Sequence, residues 1–100
     1  MDSIVKNNLP KIKELMRLHG VIRAHLFGSA AVEQMTVDSD IDFMVSFDPS
    51  FDYTDYGHHY FQLIYDLQDL LKRDVELIAE ETITNPYLHQ TIDRQKIAIL

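Results

Sequence analysis

Two seven-residue runs constrain this chain most: Val21–Phe27 and Ile41–Phe47. Each is short, rich in β-branched and aromatic residues, and bounded by turn residues, so each predicts a strand. The first breaks at Gly28-Ser29 and the second opens behind Asp40. Side chains alternate along a strand. Asp40 and Asp42 therefore point the same way, while Ile41, Phe43, Val45 and Phe47 point the other way, into a core. In the first run the alternation sets Val21, Arg23, His25 and Phe27 on one face and Ile22, Ala24 and Leu26 on the other.

Two carboxylates side by side repel by about 1 kcal/mol in water, and by several times that near protein. A bare pair is a poor structural device, and a divalent cation is the usual remedy. Mg²⁺ suits such oxygen ligands, held by one or two carboxylates together with substrate phosphates. The upstream Gly-Ser turn, at the predicted start of a short helix over 29–34, offers backbone N–H groups to a phosphate. Other cation and phosphate motifs fail. Read as an EF-hand from Asp38, the sixth position is Phe43 rather than Gly and the twelfth is Pro49 rather than Glu. None of the glycines, Gly20, Gly28 and Gly57, opens a Gly-Lys-Ser/Thr run.

Around this unit the pattern alternates helices and strands, the mark of an α/β fold with helices covering a small sheet. Pro10 opens a helix to Leu18 or His19, with Asn8 or Leu9 near its cap and Gly20 as its stop. Val37–Ser39 is a turn. Pro49 ends the second strand, and 48–57 reads as a polar loop with aromatics. A helix follows over 58–71, burying Phe61, Ile64, Leu67, Leu70 and Leu71. Asp74 to Ala79 is a third strand, Pro86 starts a last helix through Arg94, and 97–100 is a short extended or irregular tail. Residues 1–100 are expected to form one domain.

Gly28-Ser29, ten residues, then Asp40-x-Asp42 resembles the signature of the polymerase-β-type nucleotidyltransferase superfamily. At this length the chain resembles its minimal nucleotidyltransferases, small prokaryotic proteins often paired with a HEPN-domain partner. The resemblance implies a mixed sheet and a third acid on a later strand. Val75-Glu76-Leu77-Ile78 matches that position with Glu76, and Asp74 is the alternative. It implies that Asp40, Asp42 and Glu76 hold two Mg²⁺ ions, with Glu76 as ligand or general base. Gly28 and Ser29 would hold the β- and γ-phosphates of ATP, and Ser39, before the first acid, would complete the nucleotide site by shaping the turn. The implied reaction is AMP transfer to a tyrosine of a HEPN toxin, which makes the chain an antitoxin. It departs from the pattern in carrying Glu76 where Asp is commoner and, more consequentially, after the Gly-Ser turn. Active minimal members usually continue Gly-Ser with Arg-x-Arg-Gly, where this chain has Ala30, Ala31, Val32 and Glu33. Arg23, Lys72 and Arg73 are the candidates to replace the missing cations. Two other readings stand beside this one: an inactive antitoxin acting by binding alone, and a small-molecule enzyme of the aminoglycoside-modifying kind.

Charge supports a nucleotide or a basic protein partner over nucleic acid. The net charge is −7, and the nine Lys and Arg are scattered. A general nucleic-acid binder needs a basic face. The absence of cysteine excludes a disulfide framework and thiolate metal sites. No apolar run is long enough to span a membrane, and the N-terminus lacks a signal-peptide pattern, so a cytoplasmic protein is expected, with a homo- or hetero-oligomer open. His58-His59 reads as a surface helix cap, and His19, His25 and His89 as ordinary. Phe51, Tyr53, Tyr56, Tyr60 and Tyr65 read chiefly as packing, with base stacking or partner contact the other reading.

Overall fold

The computed structural model describes residues 1–50 and 53–100, with side chains described outside 53–55. The elements in chain order are α1 (Ser3–Asn7), α2 (Leu9–Leu18), β1 (Val21–Phe27), a 3-10 turn (Gly28–Ala30), β2 (Ile41–Phe47), α3 (Tyr53–Leu71), β3 (Val75–Ala79), a second 3-10 turn (Glu80–Thr82), α4 (Pro86–Gln95) and β4 (Ile97–Ala98). The sheet runs β3-β2-β1-β4. β1 is antiparallel to β2 and β4, and β2 is parallel to β3. The sheet is thus mixed and flanked by helices, as the resemblance implied. No helix among the described residues is long and apolar enough to cross a membrane.

Local sequence explains most boundaries. Asn8 stands at the cap of α2 with Pro10 in its first turn, and Gly20, at φ 81, stops it. Ile12 and Met16, four apart, are its buried stripe. Asn85 caps α4 by accepting from the Tyr87 N–H at 2.9 Å. The tail's Ile97 and Ala98 pair with Leu26 and His25, so the extended reading of that segment is the correct one.

Four expectations need correction. A short α1 precedes α2, started by Asp2, whose carboxylate accepts from the Ile4 N–H at 2.9 Å; one turn holds too few apolar residues to show periodicity. The segment after Gly28 is a single 3-10 turn, not a helix to Gln34. Helix α3 begins at Tyr53 and runs through Gly57, a residue that costs a helix about 1 kcal/mol and so reads as a loop. Its fully buried stripe is Leu63, Leu67 and Leu71, each four apart, while Phe61 is 58% exposed. Finally, β1 carries a bulge between Val21 and Arg23. The extra residue turns Ile22 outward and drops Val21 onto the same face as Ala24 and Leu26.

Both faces of the sheet are covered. On one, Leu26, Phe43, Val45 and Leu77 meet Val5, Ile12, Met16 and the α3 stripe. On the other, Phe27 and Met44 are buried against Ile92 of α4, with Ile78 and Ile83 beside them. The face carrying Asp42 is therefore covered in its middle and open towards that acid and, at the other end, at Arg23. One strand step further on, Met44 is 2% exposed. Burial of Ile92 stabilises this contact by about 1.5–3 kcal/mol.

Candidate active site

Strand register brings the turn and the acids together. Asp42 is paired with Phe27 on β1 and with Glu76 on β3. Glu76 therefore faces the same way as Asp42, and Gly28 follows directly on the β1 side. Gly28 is at φ +71, and a Cβ built there would overlap Asp42 Oδ2. Glycine is needed twice over: for the left-handed backbone and for the space the carboxylate fills. Asp40 sits just before β2 and is exposed.

The electrostatics are those of crowded acids. Burial pushes the Asp42 carboxyl up to about 7, helped by a hydrogen bond with Glu76 and by the charges of Glu76 and Asp40. Every charged neighbour acting on Asp42 is an acid. Among the described residues no three His, Cys, Asp or Glu side chains already close round a common point as a metal cage. Asp42 and Glu76 touch, and Asp40 lies within electrostatic range at the rim. In chemistry the donor set suits a hard divalent cation: carboxylate oxygens only, with like charges that a cation would relieve.

Gly28 and Ser29 lie in the 3-10 turn. Ser29 O accepts from the Gln34 N–H at 2.9 Å, closing the loop behind it. The Gly28 N–H donates to Gln95 Oε1 at 3.3 Å. Gln95 is the last residue of α4, and no motif or spacing singles it out in the sequence. Ser39 Oγ accepts from the Thr36 N–H at 2.9 Å and lies 3.1 Å from Thr36 Oγ1, which makes it a turn-shaping residue.

None of the three cations named above reaches the Gly-Ser turn. Arg73 Nη2 donates to Thr36 O and Ser39 O at 2.6 and 2.7 Å, fixing the turn that delivers Asp40. Arg23 Nη2 binds Glu80 Oε2 at 2.8 Å, and Ser46 Oγ donates to the same oxygen at 2.6 Å. That network is at the opposite end of β1. Lys72 lies 3.5 Å from Asp69 on the surface.

Two histidines, His19 and His59, depart from their readings. His59 is not a cap: its Nδ1 lies 2.9 Å from Nδ1 of buried His19, whose Nε2 lies 2.9 Å from Asp66 Oδ2. This cluster joins the end of α2 to α3, on the far side of the sheet from Asp42. His58 is exposed, as helix geometry requires of the adjacent position. Tyr56 and Tyr60 line a cleft beside Glu76, and Tyr65 is exposed. Phe51 and the Tyr53 side chain lie outside the described residues.

The polymerase β nucleotidyltransferase family model matches residues 10–100. The chain belongs to that family. A relative from Methanocaldococcus jannaschii, named "Putative protein adenylyltransferase MJ1379", is 36% identical over 99 residues, covering 91% of this chain and 97% of the relative. A solved structure described as a putative minimal nucleotidyltransferase superposes with a TM-score of 0.78 at 28% identity, covering 97% of this chain and 95% of the other. A crystal structure of a toxin-antitoxin with AMP-PNP superposes with a TM-score of 0.74 at 25% identity, covering 93% and 73%. The chain is a minimal nucleotidyltransferase in fold and family.

Proposed function

We propose that this minimal nucleotidyltransferase transfers AMP from ATP to a hydroxyl, that of a tyrosine, on a HEPN-domain toxin, and so acts as a cytoplasmic antitoxin. The observation that carries this reading is the packing of Gly28 against Asp42 with Glu76 one strand over. It sets a phosphate-receiving turn and an acid cluster side by side. The adenylyltransferase name of the relative and the toxin-antitoxin neighbour with AMP-PNP support it.

The N–H groups of Gly28 and Ser29 hold the β- and γ-phosphates. A phosphate oxygen displaces Gln95 Oε1 from the Gly28 N–H, being the stronger, charged acceptor. The α-phosphate then lies over Asp42. The acceptor oxygen attacks the α-phosphorus in line, the bond to the bridging oxygen breaks, and pyrophosphate leaves. Glu76 takes the hydroxyl proton. Asp40, Asp42 and Glu76 would hold Mg²⁺, two ions, which supplies positive charge to the attacking and leaving oxygens.

A second reading has its own support. With Ala30, Ala31, Val32 and Glu33 after the turn, and with Arg23, Lys72 and Arg73 engaged elsewhere, none of these candidate cations among the described residues serves the turn. Charge-assisted contacts contribute about 1.5–3 kcal/mol each, so an antitoxin that binds without catalysis is the alternative. Mass spectrometry of a co-expressed HEPN partner separates the two. A gain of one or more AMP units that disappears in Asp42→Ala supports transfer. An unmodified but tightly held partner supports binding alone.

A further inference from the structure

Alongside β3 lies a cleft of about 730 Å³, with Asp40 and Glu76 at one end and Tyr56, Tyr60, Ile64 and Thr82 along its walls. β3 is the edge strand, and its five residues extend roughly 16 Å. We propose that this cleft is the acceptor channel: it takes a basic, extended polypeptide segment of the partner and brings that segment's hydroxyl to Glu76. The proposal rests on the transfer reading above and adds where the acceptor lies and what charge it carries.

Position argues first. Across the sheet the order is Glu76 on β3, Asp42 on β2, then Gly28 following β1. Adjacent strands are about 4.8 Å apart, so the cleft and the phosphate turn lie on opposite sides of Asp42. With the donor's phosphates at Gly28, the cleft is on the side from which an in-line acceptor must come.

Charge argues second. Asp40 and Glu76 stand at the inner end, and Glu81 acts on the Tyr56 hydroxyl at the wall. The rim is acidic, on a chain of net charge −7. A segment with Arg or Lys near the hydroxyl meets complementary charge there, and an acidic one is repelled. The aromatic walls also favour such cations.

The mode of binding follows from the edge itself. An unprotected edge strand adds a visiting strand through its backbone. Here three of the outward groups are already engaged: the Val75 N–H by Gln68 Oε1 at 3.2 Å, the Leu77 carbonyl by the Tyr60 hydroxyl, and the Ala79 carbonyl by the Thr82 hydroxyl at 2.7 Å. A continuous ladder along β3 is therefore interrupted, and the visitor is recognised chiefly by its side chains.

Amide NMR of the full chain tests this directly. The probes are a short peptide with one tyrosine flanked by arginines, its twin flanked by glutamates, and ATP with Mg²⁺. The arginine peptide is expected to shift the amides of Val75, Leu77, Ala79 and Thr82, and ATP those of Gly28 to Val32. Glu81→Arg, on an exposed side chain, should weaken the arginine peptide about tenfold and strengthen the glutamate twin. The proposal is overturned if ATP with Mg²⁺ moves the amides of Ala79 and Thr82, which lie away from the proposed Mg²⁺ ligand Glu76, since that would assign the cleft to the base. It is equally overturned if the peptide leaves them still, or if Glu81→Arg changes neither peptide. The parent reading fails separately. Peptide shifts along β3 without AMP on the co-expressed partner would sink transfer and keep the cleft. AMP on the partner without those shifts would do the reverse.

Discussion

At the scale of single residues, Gly28 and Asp42 depend on each other. In Gly28→Ala the new methyl meets the Asp42 carboxylate in a backbone conformation that disfavours it. We expect a loss of about 1–3 kcal/mol in urea unfolding, together with loss of AMP transfer to the partner. Asp42→Asn should do the opposite to stability. It removes a carboxylate pressed between Glu76 and Asp40, so the metal-free protein should melt higher than the wild type while transfer is abolished. Magnesium should raise the melting temperature of the wild type and leave that of Asp42→Asn nearly unmoved; equal shifts in both would remove Asp42 from the proposed ligands. The facing of Asp42 away from the main core was legible in the sequence from the alternation along β2, and Gly28 was legible as a turn residue. Gln95 was not, because its meeting with Gly28 depends on how α4 crosses the sheet.

At the scale of elements, α4 and the second 3-10 turn hold the face that carries the site. Ile92→Ala opens the small apolar cluster with Phe27 and Met44, and should cost about 2–5 kcal/mol in chemical denaturation. Glu80 gives a pH signature. Hydrogen bonds from Ser46 and Arg23 hold its carboxyl below the usual range. A depressed acid stabilises the fold above its unfolded-state value, and that contribution is lost as pH falls through the folded-state value. Glu80→Gln should therefore melt below wild type near neutral pH, with the gap closing in acid; a gap that is constant with pH would rule the network out. Strand positions were legible from alternation, apart from the bulge at Ile22, which no local residue signals. Helix α3 was legible as a helix but not in its start or phase, since Gly57 reads as a breaker and the apolar residues from Phe61 to Leu71 allow more than one buried stripe.

At the scale of the whole molecule, the mixed sheet and its two covered faces follow the family pattern, and periodicity alone does not give strand direction. Composition did give the sign of the surface. With a net charge of −7, association with a basic partner should slow as salt rises, and stopped-flow measurement of the association rate from low to physiological salt checks this. A rate indifferent to salt would count against a basic partner.

The contact from the end of α4 to the Gly28 N–H has a consequence for selectivity. A carboxamide resting on that donor is a neutral competitor built into the chain. Weak anions such as chloride must evict it to gain one hydrogen bond, whereas a polyphosphate exchanges it for several charged ones. If the Gly28 N–H receives the nucleotide as proposed, the resting protein would be screened against such small anions, at the expense of some affinity for the polyphosphate. Gln95→Ala should lose that discrimination: tighter nucleotide binding in dilute buffer, and greater inhibition by chloride.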